Sequence, residues 1–146
     1  MKTNKPALLD VNVLIALTDK DHIFHAPALA WFKANHRNGW ATCPITENGC
    51  IRVMGHPGYP CPGLNVATVR TLLSQLVRVA GYLFWPDSVS LLDEGKFDFA
   101  GAGPKQLTDV YLLGLVVKFD GKLVTFDRGI RWQSVIGCKP ENLEVI

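Results

Sequence analysis

Apolar and polar positions alternate along this chain in two rhythms, short unbroken apolar runs and longer stretches with helical spacing. Residues 7–9 are a short apolar run ending at Asp10, and VNVLIAL follows at once, which predicts a buried strand feeding a helix. In HAPALAWFKANH (25–36) the residues Ala28, Leu29, Trp31 and Phe32 share one helical face, and Asn38-Gly39 reads as the stop. Residues 40–44 predict a second strand, and ITENGCIRVM restarts a helical pattern with Thr46 placed to cap it ahead of Glu47. The Pro/Gly-rich segment GHPGYPCPG (55–63) reads as a mobile surface loop, followed by an amphipathic helix over 66–79. A third strand is predicted at 82–85, a short helix in SVSLLD (88–93), and irregular chain over 94–105. The C-terminal part predicts a helix over 109–118 capped by Thr108, a turn at Asp120-Gly121, and strands at 123–126 and 143–146.

Strands alternating with helices predict an α/β fold with a parallel sheet and right-handed crossovers, in which functional residues gather at the carboxyl ends of the strands. Four acids fall at that edge. Asp10 ends the first strand and Asp127 the strand at 123–126, while Glu47 and Asp109 sit in first turns of helices. Asp109 is in phase with Leu112, Leu113 and Val116, so it shares a face with core residues instead of projecting to water. Singly, each acid has an ordinary structural role, as a helix-start carboxylate or a turn residue. The joint placement of all four at one predicted edge is not covered by those roles.

Length and composition narrow what that edge can be. The 146 residues fit one domain spanning 1–146, and 48% hydrophobic with 19% charged residues is the composition of a packed globular chain. A formal charge of only +2 lacks the strong basic bias of a protein that holds duplex by electrostatics alone. The four cysteines, Cys43, Cys50, Cys61 and Cys138, form no CxxC pair and no Cys/His ligand spacing, and MKTNKPALLD has no secretory apolar region. Reduced thiols in a cytoplasmic protein are the expectation. No apolar stretch nears the roughly 18 residues of a membrane span.

Four clustered carboxylates raise one another's pKa unless a counter-charge is present. Hard oxygen ligands with few His or Cys nearby select Mg²⁺ or Mn²⁺, and such a site supplies the chemistry of phosphodiester hydrolysis. The candidate metal-holding and catalytic set is therefore Asp10, Glu47, Asp109 and Asp127.

The stretches LLDVNVLIAL, TENGCIRVM and QLTDVYLLGLVVKFDGKLVTFDRGI, with WATCPITENG and FWPDSVSLLD between them, resemble the PIN-domain ribonucleases, and specifically the VapC-type toxins of bacterial toxin–antitoxin pairs. The likeness follows the order and spacing of nearly the whole chain. It implies a three-layer α/β/α sandwich with a central parallel sheet and an endoribonuclease dependent on Mg²⁺ or Mn²⁺. It also implies a homodimer, silenced by a cognate antitoxin that occupies the active-site groove. The family's acids match Asp10, Glu47, Asp109 and Asp127, with Asn12 matching the Asn that follows the first acid. Thr46, Thr108 and Thr125 fall where such enzymes keep capping or supporting hydroxyls.

Arg52, five residues beyond Glu47, and Arg128, beside Asp127, are candidates for a phosphate or for bracing an acid. The histidines His22, His25, His36 and His56 share no spacing and read as surface groups. Two other chemistries share part of the pattern. An aspartate-nucleophile phosphohydrolase wants a second acid two residues after the first, where this chain has Asn12. A non-enzymatic receiver-like signalling module wants paired acids after the first strand and a Lys after the last parallel strand, and neither is visible.

Overall fold

Five short strands, β1 (Ala7–Leu9), β2 (Trp40–Thr42), β3 (Tyr82–Phe84), β4 (Lys122–Thr125) and β5 (Leu143–Val145), pair in the spatial order β3-β2-β1-β4-β5 in a computed structural model that describes residues 4–146. Every pairing is parallel. The helices are α1 (Val11–Thr18), α2 (His25–Asn35), α3 (Pro44–Met54), α4 (Val66–Leu76) and α5 (Leu107–Lys118). From β1 the chain winds outward through β2 to β3, then returns by α5 to β4 on the other side of β1. The winding reverses between β1 and β4, and a crevice opens at their carboxyl ends.

The period of two along each strand separates the cores. Leu8, Ala41 and Leu123 lie in register and pack with Leu112, Leu113 and Val116 of α5. Ala7, Leu9, Trp40 and Val124 face the opposite way, onto Leu14 of α1, Trp31 and Phe32 of α2, Met54 of α3 and Val69 of α4. The result is the expected α/β/α sandwich, with α5 covering one face and α1–α4 the other.

Several elements begin or end differently from the sequence expectation. Thr46 and Thr108 are not N-caps. α3 starts three residues earlier, with Pro44 at its first position and Cys43 as cap, and Thr46 closes the turn from within: its Oγ1 accepts from Cys43 N–H at 3.0 Å and donates to Cys43 C=O at 3.1 Å. α5 starts at Leu107, behind a 3₁₀ turn over Pro104–Gln106, so Thr108 sits inside its first turn. The segment 88–93 forms no helix. Ser90 bonds its own neighbours there, its Oγ accepting from Leu92 N–H at 3.1 Å and its C=O from Asp93 N–H at 3.1 Å, an alternative to helical pairing. β4 is shifted by one residue to take in Lys122. The turn after α5 is present, with Asp120 in the left-handed region at φ 51°. The 55–63 loop is tied down by the Tyr59 hydroxyl, which donates to Asp19 Oδ2 at 2.6 Å.

Edge strand β5 is held by a buried ionic link. Lys122 Nζ lies 2.6 Å from Glu144 Oε1, and the indole N–H of Trp31 donates to Glu144 Oε2 at 2.9 Å. Glu144 thus joins β5, β4 and α2, and removing it takes one carboxylate away from the buried Lys122 ammonium. Glu144→Ala is expected to lower unfolding free energy by about 3 kcal/mol, measured by urea denaturation.

Candidate active site

Asp10 is the most firmly held of the candidate acids. It is buried at the end of β1, where its N–H donates to Val124 C=O at 3.0 Å and so extends the β1–β4 ladder by one bond. Its side chain caps α1, Oδ1 accepting from Val11 N–H at 2.8 Å, while Oδ2 accepts from the Thr125 hydroxyl at 2.8 Å. Thr125 Oγ1 in turn accepts from Asp127 N–H at 3.0 Å. One buried hydroxyl therefore links the last residue of β4 to the acid after β1 and to the acid two residues beyond β4. Asp127 is exposed at the rim and also accepts from Gly129 N–H at 2.7 Å, an Asx turn that fixes its side chain.

Asp109, in the first turn of α5, completes a group of three. Burial, and then the negative charges of Asp10 and Asp127, push its carboxyl up to about 6. Burial also raises Asp10, opposed by the bonds from Thr125 and Val11 and reinforced by the charge of Asp127. The three carboxylates feel one another, and among the described residues none is ion-paired to a lysine or arginine. They surround the crevice between β1 and β4.

Glu47 does not join them. Its Oε2 accepts from the Thr42 hydroxyl at 2.9 Å, and it lines a separate cavity of about 310 Å³ with Arg70, Ser74 and Tyr82. The reason is the rotation of α3 about its axis. A Cβ at Gly49 would come within 2.7 Å of Val11 Cγ2, so α3 packs its Gly49 face directly on the start of α1. At 100° per residue Glu47 lies about 200° from that face, on the α4 side. The face that looks along the crevice carries Ile45, Asn48 and Arg52, which line a cavity of about 520 Å³ with Asp87 and Thr108.

The other candidates divide as follows. Thr125 supports two of the acids as described, and Arg52 and Thr108 line the crevice. Thr46 is buried inside α3 and serves the Cys43 turn. Asn12 and Arg128 are exposed. Two lining residues were not anticipated. Asn48 shares the helical face of Gly49 and Arg52, and Asp87 follows β3 much as Asp10 follows β1 and Asp127 follows β4, so the strand-end rule that selected those acids applies to it equally.

The Asp109 carboxyl has a folded-state pKa above the ordinary 3.8, so the folded chain holds this proton more tightly than the unfolded one. Its contribution is therefore most favourable below 3.8 and is lost as pH rises to about 6. In metal-free buffer, Asp109→Asn is expected to be more stable than the parent above that upper value, with the gain fading toward the lower one; urea midpoints across a pH series measure it.

No family model matches the chain. Individual proteins do. Ribonuclease VapC44 of Mycobacterium tuberculosis is 44% identical over 141 residues, which cover 96% of this chain and 99% of that protein. Ribonuclease VapC38 of the same organism is 44% identical over 124 residues, 85% of this chain and 86% of its own length. Ribonuclease VapC39 is 40% identical over 126 residues, covering 85% and 90% respectively. Identity of this order along nearly the full length of the relatives, on an all-parallel α/β/α frame with its acids at the switch point, places the chain in the VapC family of ribonucleases.

Proposed function

We propose that this protein is a divalent-metal-dependent endoribonuclease and the toxin of a toxin–antitoxin pair. The observation that carries the reading is the trio Asp10, Asp109 and Asp127, three carboxylates at one crevice with no basic side chain paired to them among the described residues. Such a donor set is hard and anionic, which fits Mg²⁺ or Mn²⁺. Among the described residues no three His, Cys, Asp or Glu side chains stand close enough together to hold one metal ion directly. Mg²⁺ suits an open site of this kind, because it commonly takes one or two carboxylates and keeps several waters. When bound, the cation supplies Lewis acidity toward a phosphodiester and lowers the pKa of water.

The residues of the chain do the positioning. Asp10 presents its remaining lone pairs to the crevice with both oxygens anchored from behind by Val11 and Thr125. Asp109 faces it from α5; burial is the main cause of its raised affinity for a proton, and the negative charges of Asp10 and Asp127 add to it, a repulsion that a cation would relieve. Asp127, at the exposed rim, is placed to hold water or an outer part of the cation's shell. Glu47 stands outside this set, so the proposed ligands are the three aspartates.

Membership of the VapC family supports an RNA substrate and a cognate antitoxin as partners, and a homodimer is proposed with them. No described helix is long and apolar enough to cross a membrane.

RNA cleavage should vanish with EDTA and return with Mn²⁺ or Mg²⁺, and mapping of new RNA 5′ ends after brief induction should show discrete cuts. Asp10→Asn and Asp109→Asn are each expected to lose about a hundredfold or more in cleavage rate while staying folded by circular dichroism. Glu47→Gln should stay close to the parent; a loss as deep as that of Asp10→Asn would return Glu47 to the site. Thr125→Val should cost about tenfold or more by releasing Asp10 and Asp127 together, and Thr125→Ser should restore most of the activity.

A further inference from the structure

The cavity of about 520 Å³ beside the aspartates has a lining that the trio does not account for. Its position is set by sequence neighbours: Val11 follows Asp10 and Thr108 precedes Asp109, so it opens directly next to the reacting edge. Its size is that of a small-ligand site. Val11, Pro44 and Ile45 give it an apolar side, and Asn48, Arg52 and Asp87 a polar one. Arg52 is exposed and, among the described residues, has no ion-pair partner.

Asp87 is the residue in need of a reason. It lies two residues after Trp85, whose N–H donates to Thr42 C=O at 3.0 Å and whose ring stacks on Phe119 at 4.8 Å, so the chain is anchored just before it. Burial first, and the charge of Asp87 in addition, push the Cys43 thiol up to about 11, which puts the Asp87 carboxylate beside the cap of α3. A fourth carboxylate here is unfavourable toward an RNA phosphate. It is favourable toward the donor edge of a base. Sequence-specific RNA recognition works on unstacked bases through that edge and through packing on their faces.

We propose that this cavity is a nucleotide subsite of the ribonuclease, in which Arg52 meets an RNA phosphate and Asp87 accepts from the Watson–Crick edge of a guanine. The inference rests on the ribonuclease reading above. Guanine is the base that offers two adjacent donors, N1–H and an N2–H, to the two oxygens of one carboxylate. Its O6 then faces a side-chain amide donor, and Asn48 supplies one from the same wall. The apolar side receives the flat face of the base. A second cavity of about 380 Å³ shares Ile45 and Thr108 with the first and is otherwise lined by Val89, Leu91, Leu107 and Tyr111. The groove therefore continues past Thr108 as an apolar surface suited to the next base.

The test uses the wild-type chain with Mn²⁺ and a short RNA containing its mapped cut. Each guanosine near the cut is replaced in turn by inosine, which lacks only the N2 amino group. At one position the replacement should raise KM about tenfold, the loss of one hydrogen bond to a charged acceptor. Asp87→Asn should cut the guanosine and inosine RNAs at that position alike, and Arg52→Gln should weaken RNA binding at all sequences while reducing its salt slope by about one. A wild type that treats inosine as guanosine at every position, while still cutting RNA, overturns the subsite and leaves the ribonuclease reading standing. Failure to cut any RNA overturns both.

Discussion

The parallel pairing of β1 with β4 is the constraint on which the site depends. These strands are separated by more than a hundred residues, and their register brings Leu9 opposite Val124. One further bond, from Asp10 N–H to Val124 C=O, carries the ladder past the end of β1 and stops Asp10 at a fixed height above the sheet. Thr125 then stands opposite, with its hydroxyl at bonding distance from the carboxylate. A slip of one residue in that register would turn Thr125 to the other face and dissolve the arrangement. The buried leucines and valines around the two strands hold the register, so packing in the core decides the geometry of the carboxylates at the edge.

Much of this was legible in the sequence, and for identifiable reasons. Asp10 and Asp127 could be placed because each follows an apolar strand run, and a parallel sheet sends all such ends the same way. Asp109 could be placed because its spacing from Leu112, Leu113 and Val116 turns it inward. Each of these readings uses only local periodicity and one global assumption. Glu47 was different. Its position along α3 was right, but the direction of its side chain depends on how α3 is rotated, and that is set by the close approach of Gly49 to Val11, a contact between helices with no local signature.

The same distinction explains the smaller departures. The apolar pattern of 88–93 resembles a helix, but Ser90 finds partners within its own turn, while Lys118 of α5 reaches across to Ser88 at 2.9 Å. Asp87 was not among the candidate acids, although strand-end position is common to it and to two of the three clustered acids. Where a reading failed, the deciding interaction was either a side chain bonding within its own turn, as at Ser90 and Thr46, or a contact between separate helices, as at Gly49.

The hydroxyl of Thr125 has one proton, and its bonding partners settle where that proton goes. Oγ1 accepts from Asp127 N–H, and toward a carboxylate that can only accept it gives its hydrogen to Asp10 Oδ2, so the chain of bonds runs in one direction. The other Asp10 oxygen is occupied from behind by Val11 N–H. Burial favours the neutral acid and outweighs these two bonds, which favour the charged carboxylate, so the Asp10 pKa stands above its ordinary value. The two donors behind Asp10 thus fix the orientation of its carboxylate and oppose the effect of burial, and its remaining lone pairs are the ones a positive ion at the crevice would use.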